Sequence, residues 1–167
     1  MSRTKRPKYR RWLYRGGRPH RLASLLNRLQ TAVAAAGLPP HRVRALEVRG
    51  RRTGRRITFP VVVADYGGEL YLVAMLGPSA NWVANVRAAD GRAALRHGDR
   101  EAIRLLEVEP GQRAPILKRY LELAPGARAH FPVSFKAPLS AFEAIASSFP
   151  VFRVQADETP ADRSHQA

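Results

Sequence analysis

The chain contains no cysteine. Disulfides and thiolate metal sites are thereby excluded, and the composition fits a reducing compartment. No apolar run reaches the roughly 18 residues that a membrane-crossing helix needs, so none is expected. The basic N-terminus is not followed by an apolar stretch, so no secretory signal is expected either. The common catalytic signatures are missing: no G-x-S-x-G, no H-E-x-x-H, no Walker loop and no G-x-G-x-x-G. The five histidines (His20, His41, His97, His130, His165) are scattered, with no pair at helical metal-ligand spacing, so no metal site is expected. Glu107 and Glu109 alternate on one predicted strand and read as a solvated pair. A protein without reactive groups of its own can still be an enzyme if a cofactor carries the chemistry.

Acid is scarce in one half only. The formal net charge of the 167 residues is +16, yet residues 1–58 hold 17 Lys/Arg and a single acid, Glu47. Beyond residue 58 the charges balance at 12 and 12. A basic segment on a neutral body implies an anionic partner: nucleic acid, membrane phosphate or a multiply charged small molecule. Three regions are expected: a basic arm over 1–18, a folded domain over 19–155, and a polar disordered tail over 156–167. In the arm, Trp12, Leu13 and Tyr14 lie between Lys8, Arg10, Arg11, Arg15 and Arg18. That grouping suits peripheral contact with an anionic membrane, and equally a short segment whose Trp12 packs on the domain.

Pro19 opens an expected helix whose face is Leu22, Leu25, Leu26, Leu29 and Val33, stopped by Gly37 and Pro39-Pro40. Strands are expected at Val43–Val48, Ile57–Val63, Glu69–Met75, Ala93–His97, Arg100–Glu109 and Pro150–Gln155. Tight turns join them at Tyr66-Gly67-Gly68 and Gly98-Asp99. Pro60 suggests an edge strand or a bulge. Helices are expected at Ala80–Ala89, with Ser79 as N-cap, at Pro110–Leu123 and at Ser140–Ser147. Residues 130–139 form an aromatic, proline-containing loop. About six strands with few helices between them predict a mainly β fold with capping helices (α+β), its antiparallel sheet closing toward a barrel.

The stretch LEVRGRRTGRRITFP, residues 46–60, organises the rest. A strand leads into a turn bounded by Gly50 and Gly54, and a second strand leaves it. Arg51, Arg52, Thr53, Arg55 and Arg56 crowd the turn. Their fork-shaped donors, with backbone N–H groups that glycine lets a ligand approach, suit phosphate or carboxylate. A solvated basic hairpin tip is the plain alternative. Trp82 and Asn85, three apart on the next helix, share a face. Taken singly, Trp82 reads as a core aromatic and Asn85 as a backbone-bonding amide.

LEVRGRRTGRRITFPVVV, then GGELYLVAMLG, then NWVANVRA, resembles the deazaflavin (coenzyme F-420)-dependent nitroreductase family, whose members are split β-barrel, FMN-binding-like oxidoreductases. The family pattern G-R-K-S/T-G falls on Gly50, Arg51, Arg52, Thr53 and Gly54. A proline six residues on falls on Pro60, the small-residue loop on Ala74, Met75, Leu76 and Gly77, and W-x-x-N on Trp82 and Asn85. Arg52 stands where the family has Lys. Ile57 stands where it has Arg, with Arg56 one place earlier.

The resemblance implies an oxidoreductase that binds reduced coenzyme F-420 and transfers hydride to an unsaturated acceptor of nitro, quinone or enone type. It implies coenzyme contacts from Gly50 to Arg56 and at Pro60, Val61, Val62, Ala74 to Gly77, Trp82 and Asn85. Phosphate and oligoglutamate fall to the arginines and the ring to the apolar positions. Phe131, Phe135 and Phe142 are the expected substrate wall. Partners would then be a small-molecule acceptor, with peripheral contact at the inner face of an anionic membrane and no specific nucleic acid. The location would be cytoplasmic. The alternatives are the same fold binding FMN or a haem-type cofactor, and a basic nucleic-acid-binding module tracking phosphates with residues 1–58.

Overall fold

The computed structural model describes residues 42–157. The predicted arm, the first helix and nearly all of the predicted tail lie outside them. Seven strands follow in order: β1 (Val43–Arg49), β2 (Arg56–Val62), β3 (Ala64–Tyr66), β4 (Glu69–Val73), β5 (Arg92–His97), β6 (Asp99–Glu107) and β7 (Val151–Ala156). Helix α1 (Asn81–Ala88) precedes β5, while α2 (Arg113–Leu123) and the short α3 (Leu139–Glu143) lie between β6 and β7.

All pairings are antiparallel, in the order β2-β1-β5-β6-β7-β4-β3. β2 and β3 therefore end at opposite edges of the sheet, yet only Val63 separates them in the chain. Consecutive Cα atoms lie about 3.8 Å apart, so the two edges must meet at that corner. The sheet is rolled into a split barrel, as the sequence predicted. At the corner Val63 is buried and donates its N–H to the Arg42 carbonyl at 2.9 Å. The strand expected over Ile57–Val63 is β2, which ends at this corner, and the short β3 beyond it was not expected. Pro60 sits on the edge strand β2, where a missing N–H costs little.

Alternation along the strands divides the side chains between two cores. Leu46, Val48, Leu72, Leu95, Ile103, Leu105 and Phe152 fill the inside of the roll, and Val83 and Val86 of α1 plug one opening. On the outer face of β3, β4 and β7, Ala64, Val73 and Val151 pack against Ile116, Leu117, Tyr120 and Leu121 of α2 and Phe142 of α3. The outer face of β2, β1, β5 and β6 carries no helix among the described residues.

Gly91, with φ +78°, brings the turn before β5 so close to β6 that an added Cβ would lie 2.5 Å from the Leu105 carbonyl oxygen. The N-cap of α1 is Ala80, not Ser79, and no side chain caps it. The chain already turns at Gly77, whose carbonyl accepts the Ala80 N–H at 3.2 Å. The predicted helix over Ser140–Ser147 breaks into α3 and a 3-10 turn at Ala146–Ser148. No helix among the described residues is long and apolar enough to cross a membrane.

Candidate functional site

The predicted hairpin forms, with Arg49 opposite Arg56 at its mouth. Gly50 N–H donates to the Arg55 carbonyl at 2.8 Å, and Gly54 N–H to the Gly50 carbonyl at 2.8 Å. Gly54 is left-handed at φ 67°, a conformation that costs glycine little. Arg55 N–H donates to Thr53 Oγ1 at 3.3 Å. The Gly50, Gly54 and Arg55 amides are thus used inside the turn. What the tip offers outward is guanidinium: Arg51, Arg52 and Arg55 are all exposed.

Helix α1 fixes the turn in place. Asn85 is buried, and its Oδ1 accepts from the Arg51 N–H at 3.2 Å and from Arg51 Nη1 at 2.9 Å. Arg51 Nη1 also donates to the Asn81 carbonyl at 3.5 Å. One amide thereby latches the hairpin to the helix that plugs the barrel. Trp82 turns inward instead. Its ring lies 6.2 Å from Phe59 and 5.3 Å from Phe152, centroid to centroid, so it is a core aromatic and lines no part of the cleft described next.

Between the hairpin, the end of α1 and the outer face of β1 and β5 lies an open cleft of about 890 Å³. Arg49, Arg51, Arg56, Arg92 and Arg100 line it, with Glu47 as its only acid. Register explains the grouping. Glu47 sits between Thr58 of β2 and Ala94 of β5, so Arg56 and Arg96 occupy the diagonal positions on the same face, and Arg100 faces Arg96 across β5–β6. Glu47 is only 5% exposed. Its Oε2 lies 3.0 Å from Arg100 Nε and 3.9 Å from Arg56 Nε, and its Oε1 lies 3.6 Å from Arg96 Nη1. Arg49 and Arg92 have no ion-pair partner among the described residues.

Of the predicted coenzyme contacts, the cleft gathers Gly50, Arg51, Gly54, Arg56 and Asn85. Arg56, one place before Ile57, points into the cleft, while Ile57 takes the opposite face of β2. The apolar positions do not join them. Val61 and Leu76 pack on the barrel core, and Val62 and Met75 on the core beneath α2. Ala74 is buried, with its N–H donated to the Pro150 carbonyl at 2.9 Å.

The expected substrate wall is corrected. Phe142 is fully buried under α2, and Phe131 stacks on Phe149 at 4.1 Å within the same core. Phe135 is half-buried beneath Arg128, whose guanidinium lies 3.7 Å from the ring centroid. A loop rich in aromatics buries them because each removes a large apolar area from water. The sequence reading missed Arg49, Arg92, Arg100 and Glu47. A solitary acid in an otherwise basic half was the one signal available for Glu47.

A second charged group is structural. Arg87 Nη2 lies 2.7 Å from Glu107 Oε1, and Arg113 Nη2 lies 3.3 Å from the same oxygen. The hydrogen bond from Arg87 holds the Glu107 carboxyl below the usual carboxylate range. Buried Arg113 also donates to the carbonyls of Val108 at 2.7 Å, Ala146 at 3.3 Å and Phe149 at 3.4 Å. Burial pushes its pKa down, without threatening its charge at neutral pH.

A rolled antiparallel sheet with an arginine-lined cleft beside its first hairpin defines a split-barrel protein. The sequence profile of the F420H(2)-dependent quinone reductase family matches residues 22–125, and the chain belongs to that family of coenzyme F-420-dependent oxidoreductases. No curated protein matches the chain. Among solved structures, protein Atu2129 of Agrobacterium tumefaciens, of unknown function, is 14% identical, with TM-score 0.50 over 76% of this chain. The chain spans 51% of that protein's length, and the likeness is one of fold. An F420-H2 dependent reductase is 17% identical, with TM-score 0.47 over 68% of this chain and 94% of its own. An F420 reductase is 16% identical, with TM-score 0.42 over 75% of this chain and 92% of its own.

Proposed function

We propose that the arginine cleft binds reduced coenzyme F-420 and that the protein reduces a quinone-type acceptor with it. The observation that carries this reading is five arginines converging on one cleft beside the hairpin that bears the family's glycine-bounded motif. The donor set fits the group. A phosphate and an oligoglutamate chain need several separated cations, and Arg49, Arg51, Arg92 and Arg100 lie on different elements around one volume. Reduced coenzyme, when bound, supplies the hydride. The chain's own residues bind and orient: Asn85 fixes Arg51, and Glu47 pairs with Arg56 and Arg100. The basic arm is assigned a peripheral contact with anionic membrane, which would bring the protein to an apolar acceptor.

Calorimetric titration with coenzyme F-420, FMN and a random DNA duplex at matched salt tests the reading. Tightest binding to F-420 is expected. Arg49→Glu with Arg92→Glu, both in the cleft lining, should weaken it at least tenfold, since two charge-assisted contacts are worth roughly 1.5–3 kcal/mol each. Equal affinity for FMN, or an unchanged affinity in the double variant, would overturn the proposal.

A further inference from the structure

Glu47 is at odds with its setting, because a negative charge in an anion-binding cleft ought to repel the ligand. Its geometry gives another role. Glu47 is 5% exposed, whereas the side chains of Arg56 and Arg100 above it are 68% and 48% exposed. Arg100 Nε donates to the carboxylate at 3.0 Å, while Arg56 Nε lies 3.9 Å away, an ion pair without a hydrogen bond. Of the five N–H donors of a guanidinium, contact through Nε uses one and leaves the terminal amino groups free. Those of Arg56 and Arg100 have no hydrogen-bond partner among the described residues, and both residues line the cleft. Arg96 closes the other side of the carboxylate through Nη1 at 3.6 Å and lies outside the cleft lining.

We infer that Glu47 is a positioning residue: gripping Arg100 by Nε and drawing Arg56 in by charge, it presents their terminal amino groups to one anionic group of the ligand, a phosphoryl or a carboxylate. The inference rests on the coenzyme reading of the cleft and deepens it. Arginine carries much rotamer freedom, and an arginine held in place beforehand loses less of it on binding. Without Glu47, Arg56, Arg96 and Arg100 would repel one another and splay into solvent. The buried carboxylate thus subtracts one charge from the cleft and adds order to two.

The two roles give opposite signs. If Glu47 only weakens the field, Glu47→Gln tightens anion binding; if it positions the forks, Glu47→Gln weakens it. Calorimetric titration of wild type, Glu47→Gln, Arg100→Lys and the double variant with coenzyme F-420 decides between them, with thermal midpoints recorded alongside. Each single variant is expected to lose at least tenfold in affinity, and the double variant no more than the weaker-binding single one, because both changes dismantle one unit. Arg100→Lys keeps the charge but not the fork, so its loss cannot come from net charge.

Displacement of the coenzyme by inorganic phosphate and by triglutamate identifies the group: the competitor that loses potency in Arg100→Lys is the one the forks hold. Equal or tighter binding by Glu47→Gln, additive losses, or two competitors indifferent to Arg100→Lys would overturn the inference. Should Glu47→Gln fail to fold, Arg100→Lys, changed at an exposed position, carries the test, and wild-type affinity in it overturns the proposal. Absence of coenzyme binding by the wild type would instead refute the cleft reading. Direct titration of wild type and Arg100→Lys with phosphate and triglutamate would then still test the forks.

Discussion

Replacing Asn85 by alanine removes the only side chain of α1 seen to accept from the hairpin, and the consequences can be worked from two distances. Oδ1 accepts the Arg51 amide at 3.2 Å and Arg51 Nη1 at 2.9 Å. A neutral hydrogen bond is worth about 1 kcal/mol net and one to a charged group about 1.5–3. Water at the cleft mouth recovers part of the second, which leaves a loss of about 2 kcal/mol. With a urea slope of roughly 1–3 kcal/mol per molar, the unfolding midpoint should fall by roughly 1 M. Binding should suffer as well, because an unlatched hairpin has to be re-ordered when the ligand arrives. If much of that free energy is drawn from binding, affinity for coenzyme F-420 falls roughly ten- to thirtyfold.

Asn85→Asp separates latch from field. It keeps an acceptor for both Arg51 donors, so stability should stay near wild type, while the added negative charge lowers coenzyme affinity. Urea unfolding and calorimetric titration read both variants. An Asn85→Ala protein that loses stability yet binds the coenzyme as wild type would show that the latch serves folding alone, and would refute the reasoning.

Arg113→Met should lower unfolding free energy by about 3 kcal/mol, because it leaves three carbonyls that share the buried guanidinium without their donor and takes one of two arginines from Glu107; chemical denaturation measures it. Glu107 has a depressed folded pKa, so in acid the unfolded chain binds its proton first and stability rises with pH there. The contribution is fully present above the unfolded value and lost as pH falls through the folded one. Thermal midpoints between about pH 2 and 5 should fall more steeply for wild type than for Glu107→Gln, and parallel curves would contradict this. Full-length protein should co-sediment with anionic vesicles in a salt-sensitive way, since each cation gains about 1 kcal/mol at such a surface and screening acts within about 8 Å. A chain starting at Pro19 should bind them less, and equal binding by both, or by neutral vesicles, would remove the membrane contact.

What the sequence determined by itself was local and periodic. The alternation in β1 and β2, the glycines that set the turn between them and the basic residues crowding that turn are readable because strand and hairpin signals span a few neighbouring residues. The spacing of Trp82 and Asn85 placed both on one short helix for the same reason. Which of these residues meet was decided by tertiary structure. Only antiparallel register carries Arg56, Arg96 and Arg100, from three strands, around the single acid Glu47. Only the rolling of the sheet sends Trp82 into the core while Asn85 reaches back to the Arg51 amide. The same physics misplaced the aromatic loop: Phe131 and Phe142 look like a substrate wall in a line of text, but burying a large apolar ring is favourable wherever a core lies within reach, and α2 supplied one. Periodicity names the face a side chain takes on its own element; what lies opposite that face is fixed by contacts between residues far apart in the chain.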